Sequence, residues 1–385
     1  MPNFPKYPGI YLQEDPSPGK IIVGVETSIA LFIGRAKEGP IYTPVFCSSY
    51  SDFERIFIDD SSQGEMSLAV KLFYENGGKQ CYIIRIEFPE NNASVFASNY
   101  EKAFEKAEKE IDLFNLMILP KDKNIAYETM MPLFQKAGIT CKKRRAFLII
   151  DLPVINSQNY EQELYAAFNT IKAGIEKSYC AIYYPNLIVR EDNENFNVGS
   201  AGAIAGIFAR TDAERGVWKA PAGFSADIRG IVGLERILSD TEANSLNIRG
   251  INNIRKSSDR AYVWGVRTLE GTNDIQGEFK YVSIRRTALF IEESISGGLQ
   301  WVIYESNNEA LWSKIRLSLE NFMYNLFRQG VFSGTTPDKA YFIKCDRETT
   351  TQNDINQGQV NILIGFAPLK PAEFIIIHIQ QKTGI

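Results

Sequence analysis

The residues able to do acid–base, nucleophilic or metal chemistry are few in this chain, and their spacing is poor. Histidine occurs once in 385 residues, at His378, inside the run Phe374-Ile375-Ile376-Ile377-His378-Ile379. A triad with a His base, or a zinc site built on two or three His, cannot form within one such chain. A lone His among isoleucines reads as structural. The five cysteines, Cys47, Cys81, Cys141, Cys180 and Cys345, show no metal-clip or redox-pair spacing. They read as buried thiols in a reducing compartment. Asp59-Asp60 and Glu292-Glu293 are adjacent carboxylates, and adjacent side chains diverge on a helix or strand. The run from Gly199 to Gly206 looks like a phosphate-binding loop. It lacks the Walker Lys-Ser/Thr ending and the dinucleotide spacing, so close helix packing is the simpler reading. Asn76-Gly77-Gly78-Lys79 could cradle an anion, but it reads first as a helix stop. No catalytic residue, metal ligand or cofactor is expected.

The elements around these residues alternate. Short runs that are apolar throughout read as buried strands: Ile29–Gly34, Cys81–Ile86, Leu113–Leu119, Ala146–Asp151 and Cys180–Pro185. Between them lie helical patterns at Asp52–Phe57, Met66–Tyr74, Tyr100–Lys109, Thr129–Gly138 and Tyr160–Lys177. Apolar strands alternating with helices predict an open, mainly parallel sheet covered on both faces, an α/β domain over residues 25–250. After about residue 250 the pattern changes to α+β. It includes a strand at Tyr262–Arg267, helices at Ile284–Ser296 and Leu311–Phe327, and strands at Ala340–Cys345, Val360–Phe366 and Glu373–Ile379. Steps of three and four join Trp312, Ile315, Leu319, Phe322 and Leu326 on one helix face. The charged run Arg210–Pro221 is broken by Gly216 and Pro221. Either a neighbour contact or an internal ion-pair network would suit it.

Both ends read as extended arms, residues 1–24 and 369–385. Prolines 2, 5, 8, 16 and 18 exclude a helix at the start, leaving Gly9, Ile10, Tyr11 and Leu12 as a short strand. At the other end Phe374, Ile375, Ile376, Ile377 and Ile379 form a strand too apolar to stay unpaired. An N-terminal arm that buries little against its own chain often pairs with a neighbour, and the C-terminal strand must pair inside a sheet, of this chain or of a neighbour. Composition agrees with a folded soluble protein: 44% hydrophobic, 23% charged, formal net charge −4. That balance gives no basic footprint for direct nucleic-acid binding. The opening Met1–Lys6 has no apolar core of a secretory signal, and no apolar run approaches a membrane span.

Ordered strings along the chain resemble contractile tail sheath proteins of phage tails, R-type pyocins and extracellular contractile injection systems. They are Pro8–Tyr11, Gly24–Ala36 with Gly39-Pro40, Phe73–Arg85, Ala205–Ala222, Val263–Leu269, Tyr281–Arg286, Phe290–Ile295, Gly298–Val302 and Pro371–Phe374. The resemblance implies a structural subunit, not an enzyme. It implies helical rings of identical copies around an inner tube protein, capped by baseplate and terminal proteins. Contraction repacks the rings and drives the tube into a target. The particle would be assembled in the bacterial cytoplasm, with no direct contact to nucleic acid or membrane. It also implies an outer domain at 25–250 and an inner, tube-facing domain at 251–368. On that arrangement Lys314, Arg316 or Arg328 would face an acidic tube; the alternative for these cations is a solvated charged face. The competing readings are an α/β hydrolase-like enzyme and a monomeric binding module.

Overall fold

A computed structural model describes residues 20–57, 64–87, 93–122, 125–155, 159–272 and 277–373. The expected arm strands, Gly9–Leu12 and Phe374–Ile379, lie outside the described residues. The chain forms two compact units. One holds Val25–Glu292 with residues 370–373, the other residues 20–24 with Glu293–Leu369.

The larger unit is built on a nine-stranded sheet of order β2-β3-β1-β4-β5-β6-β11-β12-β9. Its central strands β1 (Ala30–Gly34), β3 (Cys81–Arg85), β4 (Leu116–Ile118), β5 (Phe147–Asp151), β6 (Cys180–Tyr184) and β11 (Ile251–Ser257) pair in parallel. Except for β11, these are the runs that the sequence marks as apolar on both faces, and the reason is visible in their alternation. Ala30, Phe32, Phe147, Ile149, Ala181 and Tyr183 enter one core cluster. Leu31, Ile33, Leu148, Ile150, Ile182 and Tyr184 enter the other. Side chains alternate with period two, so a strand covered by helices on both sides must be apolar at every position.

Short antiparallel strands close both edges. β2 (Val45–Cys47) pairs with β3, while β12 (Arg260–Trp264) pairs with β11 and with β9 (Asp227–Ile228). A separate three-stranded sheet joins β7 (Leu187–Glu191), β8 (Glu194–Val198) and β10 (Gly233–Leu234). After α1 (Tyr50–Ile56), α2 (Glu65–Glu75) and α6 (Ala201–Arg215) cover one face. The other face is covered by α3 (Ala93–Glu110), α4 (Tyr127–Lys143) and α5 (Tyr160–Ala173), with Leu246 of α7 (Asp240–Arg249). The sequence reading ends the outer domain near residue 250. In the structure Ile251–Asn253 continue the parallel ladder beside β6 and β12 folds back on Asn253–Ser257, and the boundary between units falls at Glu292.

The glycine run is a packing device. A Cβ on Gly202 would sit 2.2 Å from the Ala69 carbonyl oxygen, and one on Gly206 would sit 2.4 Å from that of Phe73. The missing side chains let α6 lie against the backbone of α2. Helix α6 stops at Gly216, whose φ of 88° suits glycine. Two charged residues of the run Arg210–Pro221 turn inward, while Glu214 and Arg215 are exposed. Arg210 donates to the Asp227 carbonyl and carboxylate. Asp212 accepts from Arg286 of α8 (Val282–Gly298) and from the Thr27 hydroxyl. Asp212 and Arg286 are only 5% and 3% exposed, so an internal network accounts for these two positions.

The smaller unit contains the last part of α8, then α9 (Glu309–Arg328), α10 (Pro337–Ala340), β13 (Tyr341–Lys344), α11 (Gln352–Asn356) and β14 (Leu363–Phe366). Trp312, Ile315, Leu319, Phe322 and Leu326 are buried on one face of α9, as their spacing predicts. Asn308 caps that helix by accepting from the Leu311 amide. β13 and β14 form an antiparallel pair with no third strand among the described residues.

Two substitutions test this packing by chemical unfolding. Gly202→Ala forces a methyl group into a backbone carbonyl and is expected to cost about 1–3 kcal/mol. Asp212→Ala strands the buried Arg286 guanidinium and is expected to cost about 3–5 kcal/mol.

Candidate interaction surfaces

In open parallel sheets, ligands bind beyond the carboxyl ends of the strands. Here that region is filled by the chain's own side chains. A Cβ on Gly34, at the end of β1, would meet Met66, Pro120 and the Tyr100 hydroxyl. At the end of β5, Asp151 accepts from the Ala201 amide at 2.8 Å and the Ser200 hydroxyl at 3.1 Å. The N-terminus of α6, which could have received a phosphate, is thus occupied by a protein carboxylate. Lys121 donates to the Asn186 side-chain oxygen, and Asn186 donates in turn to Glu235. Burial raises the Asp151 carboxyl above its ordinary value and lowers the Lys121 amine below its own. Among the described residues no group of His, Cys, Asp and Glu could hold a metal ion. Nor is any helix long and apolar enough to cross a membrane.

The remaining candidates are edges and exits. In the smaller unit both outer edges of β13–β14 lack a strand partner among the described residues. Phe342 and Leu363 on these strands are 49% and 52% exposed, and the Phe342 ring crosses the space that a Gly365 side chain would fill. Helix α9 separates the three cations singled out from the sequence. Lys314 and Arg328 are exposed. Arg316 is half-buried and engaged internally, donating to Glu309, to Ser313 and to the Cys345 carbonyl. Of these partners only the Cys345 carbonyl lies outside the helix, 29 residues away.

Near the start of the described residues Ile22 is buried against Gly298, while Ile21 and Val23 beside it are 82% and 75% exposed. Lys20 lies 5.9 Å from the centre of the Trp301 ring. At the other end Glu373 is gripped within the larger unit. Arg267 donates to both its carboxylate oxygens at 2.8 Å, and the Tyr281 hydroxyl donates at 3.0 Å. Arg267 also holds the Asn247 carbonyl and is 1% exposed. Burial alone would raise the Glu373 carboxyl; the hydrogen bonds and charge of Arg267 outweigh that and hold it below its ordinary value. The Tyr281 hydroxyl is pushed up to about 12, by burial and then by Glu373. Nothing local in Pro371-Ala372-Glu373 signals this clamp, because its partner lies 106 residues away.

A depressed carboxyl contributes stability that is full above its unfolded value and is lost as pH falls through its folded value. Relative to the intrinsic rate of an unfolded chain at the same pH, amide exchange at residues 370–373 is therefore expected to accelerate below about pH 4. Glu373→Gln should accelerate it at neutral pH by more than about tenfold, from about 1.5–3 kcal/mol of lost charge-assisted bonding, and remove the pH dependence. Hydrogen-exchange mass spectrometry reads both effects.

The phage tail sheath protein central domain matches residues 93–269, and the phage tail sheath C-terminal domain matches residues 276–382. A prophage major tail sheath protein of Pseudomonas aeruginosa is 29% identical over 175 residues, which are 44% of this chain and 42% of that protein. The tail sheath protein of Enterobacteria phage T4 is 22% identical over 48% of this chain, a match that spans 27% of its own length. The chain's matches thus span less than half the length of these relatives. Among solved structures, the anti-feeding prophage helical sheath in its contracted state has a TM-score of 0.76 at 27% identity, covering 97% of this chain and 99% of that one. The sheath complex of the PVC extracellular contractile injection system, also contracted, has a TM-score of 0.75 at 25% identity, covering 99% of each chain. With its central and C-terminal regions both matched by sheath domains, and nearly its whole length shared with contractile sheath subunits, this chain belongs to the phage tail sheath protein family.

Proposed function

We propose that the chain is the sheath subunit of a contractile tail or injection system, a structural protein and not an enzyme. Copies stack as helical rings around an inner tube and contract by repacking, which drives the tube into a target. The observation that carries this is the β13–β14 pair, a sheet of two strands with both edges open among the described residues. A two-stranded sheet is marginal alone, and an open edge readily accepts another backbone.

The strands assigned to those edges are Gly9–Leu12 and Phe374–Ile377 with Ile379, each supplied by another copy. Each large apolar side chain buried by such pairing contributes about 1.5–3 kcal/mol before ordering costs. The contact joins unlike surfaces, so it propagates as a helix instead of closing as a dimer. No cofactor enters this cycle, because the energy is held as a difference between two packings of the same subunits.

In this reading the larger unit lies outside and the smaller faces the inner tube protein. The arms, 1–24 and 369–385, link neighbouring subunits. Baseplate and terminal cap proteins complete the particle, which is assembled in the bacterial cytoplasm and touches neither nucleic acid nor membrane directly. The exposed Lys314 and Arg328 meet the tube, while Arg316 supports α9 from within.

Deleting residues 1–19 should leave a chain that folds with an unchanged melting temperature but forms no tubes in negative-stain micrographs; normal tubes would sink the assignment of the N-terminal arm. Reversing Lys314 and Arg328 to Glu should weaken assembly on the tube, most strongly at low salt, and leave unfolding within about 0.5 kcal/mol of wild type. Arg316→Glu should instead lower stability by about 1–3 kcal/mol, since it strands hydrogen-bonded partners.

A further inference from the structure

Strand β2 places Cys47 directly opposite Cys81 of β3. Opposed residues of an antiparallel pair have Cα atoms about 5.5 or 4.5 Å apart, according to whether the pair is hydrogen-bonded. Both values fall within the roughly 4.4–6.8 Å that a disulfide spans. The two side chains share a face and are buried in the same cluster, and the thiols are free. The Tyr74 hydroxyl donates to the Cys47 carbonyl at 2.9 Å and lies 3.3 Å from the Cys81 sulfur, so it braces the pair from α2.

We propose that Cys47 and Cys81 form a cross-strand disulfide site, which a small disulfide oxidant such as oxidised glutathione closes into a staple across the edge of the large sheet. The oxidant reaches the pair through the edge strand. β2 has three residues and one neighbour in the sheet, and such a strand opens locally at low cost. Cys47 attacks first. The hydrogen bond from Cys81 lowers its thiol, whereas burial raises the Cys81 thiol well above its ordinary value.

The Cys47 thiolate displaces one glutathione thiolate, which takes up the proton that Cys47 lost. The Cys81 sulfur then displaces the second glutathione from Cys47 and gives up its own proton. Two thiols are oxidised as one Sγ–Sγ bond forms, and one glutathione disulfide is reduced to two thiols. The new bond closes the segment 48–80, which contains α1 and α2, and fastens β2 to β3. The other cysteines stand apart from this ladder. Cys141 contacts the Met117 sulfur, Cys180 donates to the Glu176 carbonyl, and Cys345 belongs to the smaller unit.

The proposal does not depend on the sheath reading, because it is tested on the purified chain in any assembly state. Full-length protein, reduced and then held folded with oxidised glutathione at 37 °C and pH 8, is denatured, alkylated and mapped by mass spectrometry. Alkylatable thiols should fall from five to three, a peptide joining Cys47 to Cys81 should appear, and the melting temperature should rise by roughly 2–5 °C. Cys47→Ser and Cys81→Ser should each abolish the cross-link and the rise. Five remaining thiols, a stable glutathione adduct without the internal bond, or a cross-link through Cys141, Cys180 or Cys345 would each overturn the proposal.

Discussion

A β-strand's outer backbone groups must be paired, wetted or covered, and this constraint organises the molecule. The large sheet meets it within the chain. Its six parallel strands carry an antiparallel closure at each side, the three-residue β2 and the two-residue β9. Short edges of this kind offer little template to another sheet. The small unit meets the constraint differently, with two strands and no flanking partner among the described residues. Among the described residues the chain therefore holds a large sheet with very short edge strands and a two-stranded pair without flanking strands.

Buried charge is handled alike in several places. Arg286 with Asp212, Arg267 with Glu373 and Asp151 at the start of α6 each unite residues far apart in sequence, with hydrogen bonds to spare. Charges taken out of water hold only when their lone pairs and protons are met. Such pairs fix geometry more than they add stability. They act here as pins between layers and at the root of the C-terminal segment. One consequence is chemical. The carboxyl ends of the strands, where related layouts admit a ligand, are filled by Asp151, Lys121, Asn186 and Glu235 already bonded to other groups of the chain.

The parallel strands were legible from the sequence because burial on both faces leaves no polar position in Ala30–Gly34 or Phe147–Asp151. Helix α9 was legible because its stripe is one-sided. The hairpin β7–β8 escaped notice, being largely polar on β8, and so did β11, whose Asn252 and Asn253 are buried but hydrogen-bonded. Those asparagines look like a loop in one dimension.

By itself the sequence determined the layered α/β architecture, the amphipathic helix and the family, since these rest on local periodicity and on ordered strings. It also marked Gly202 and Gly206 as small residues suited to close packing. Only the tertiary structure decided which backbone those glycines approach, that Arg316 turns inward while Lys314 and Arg328 do not, that Arg267 holds Glu373, and that Cys47 faces Cys81 across 33 intervening residues. Each of these is a contact between segments far apart along the chain. Its partner is chosen by strand register and layer packing, and neither is encoded within any short window of residues.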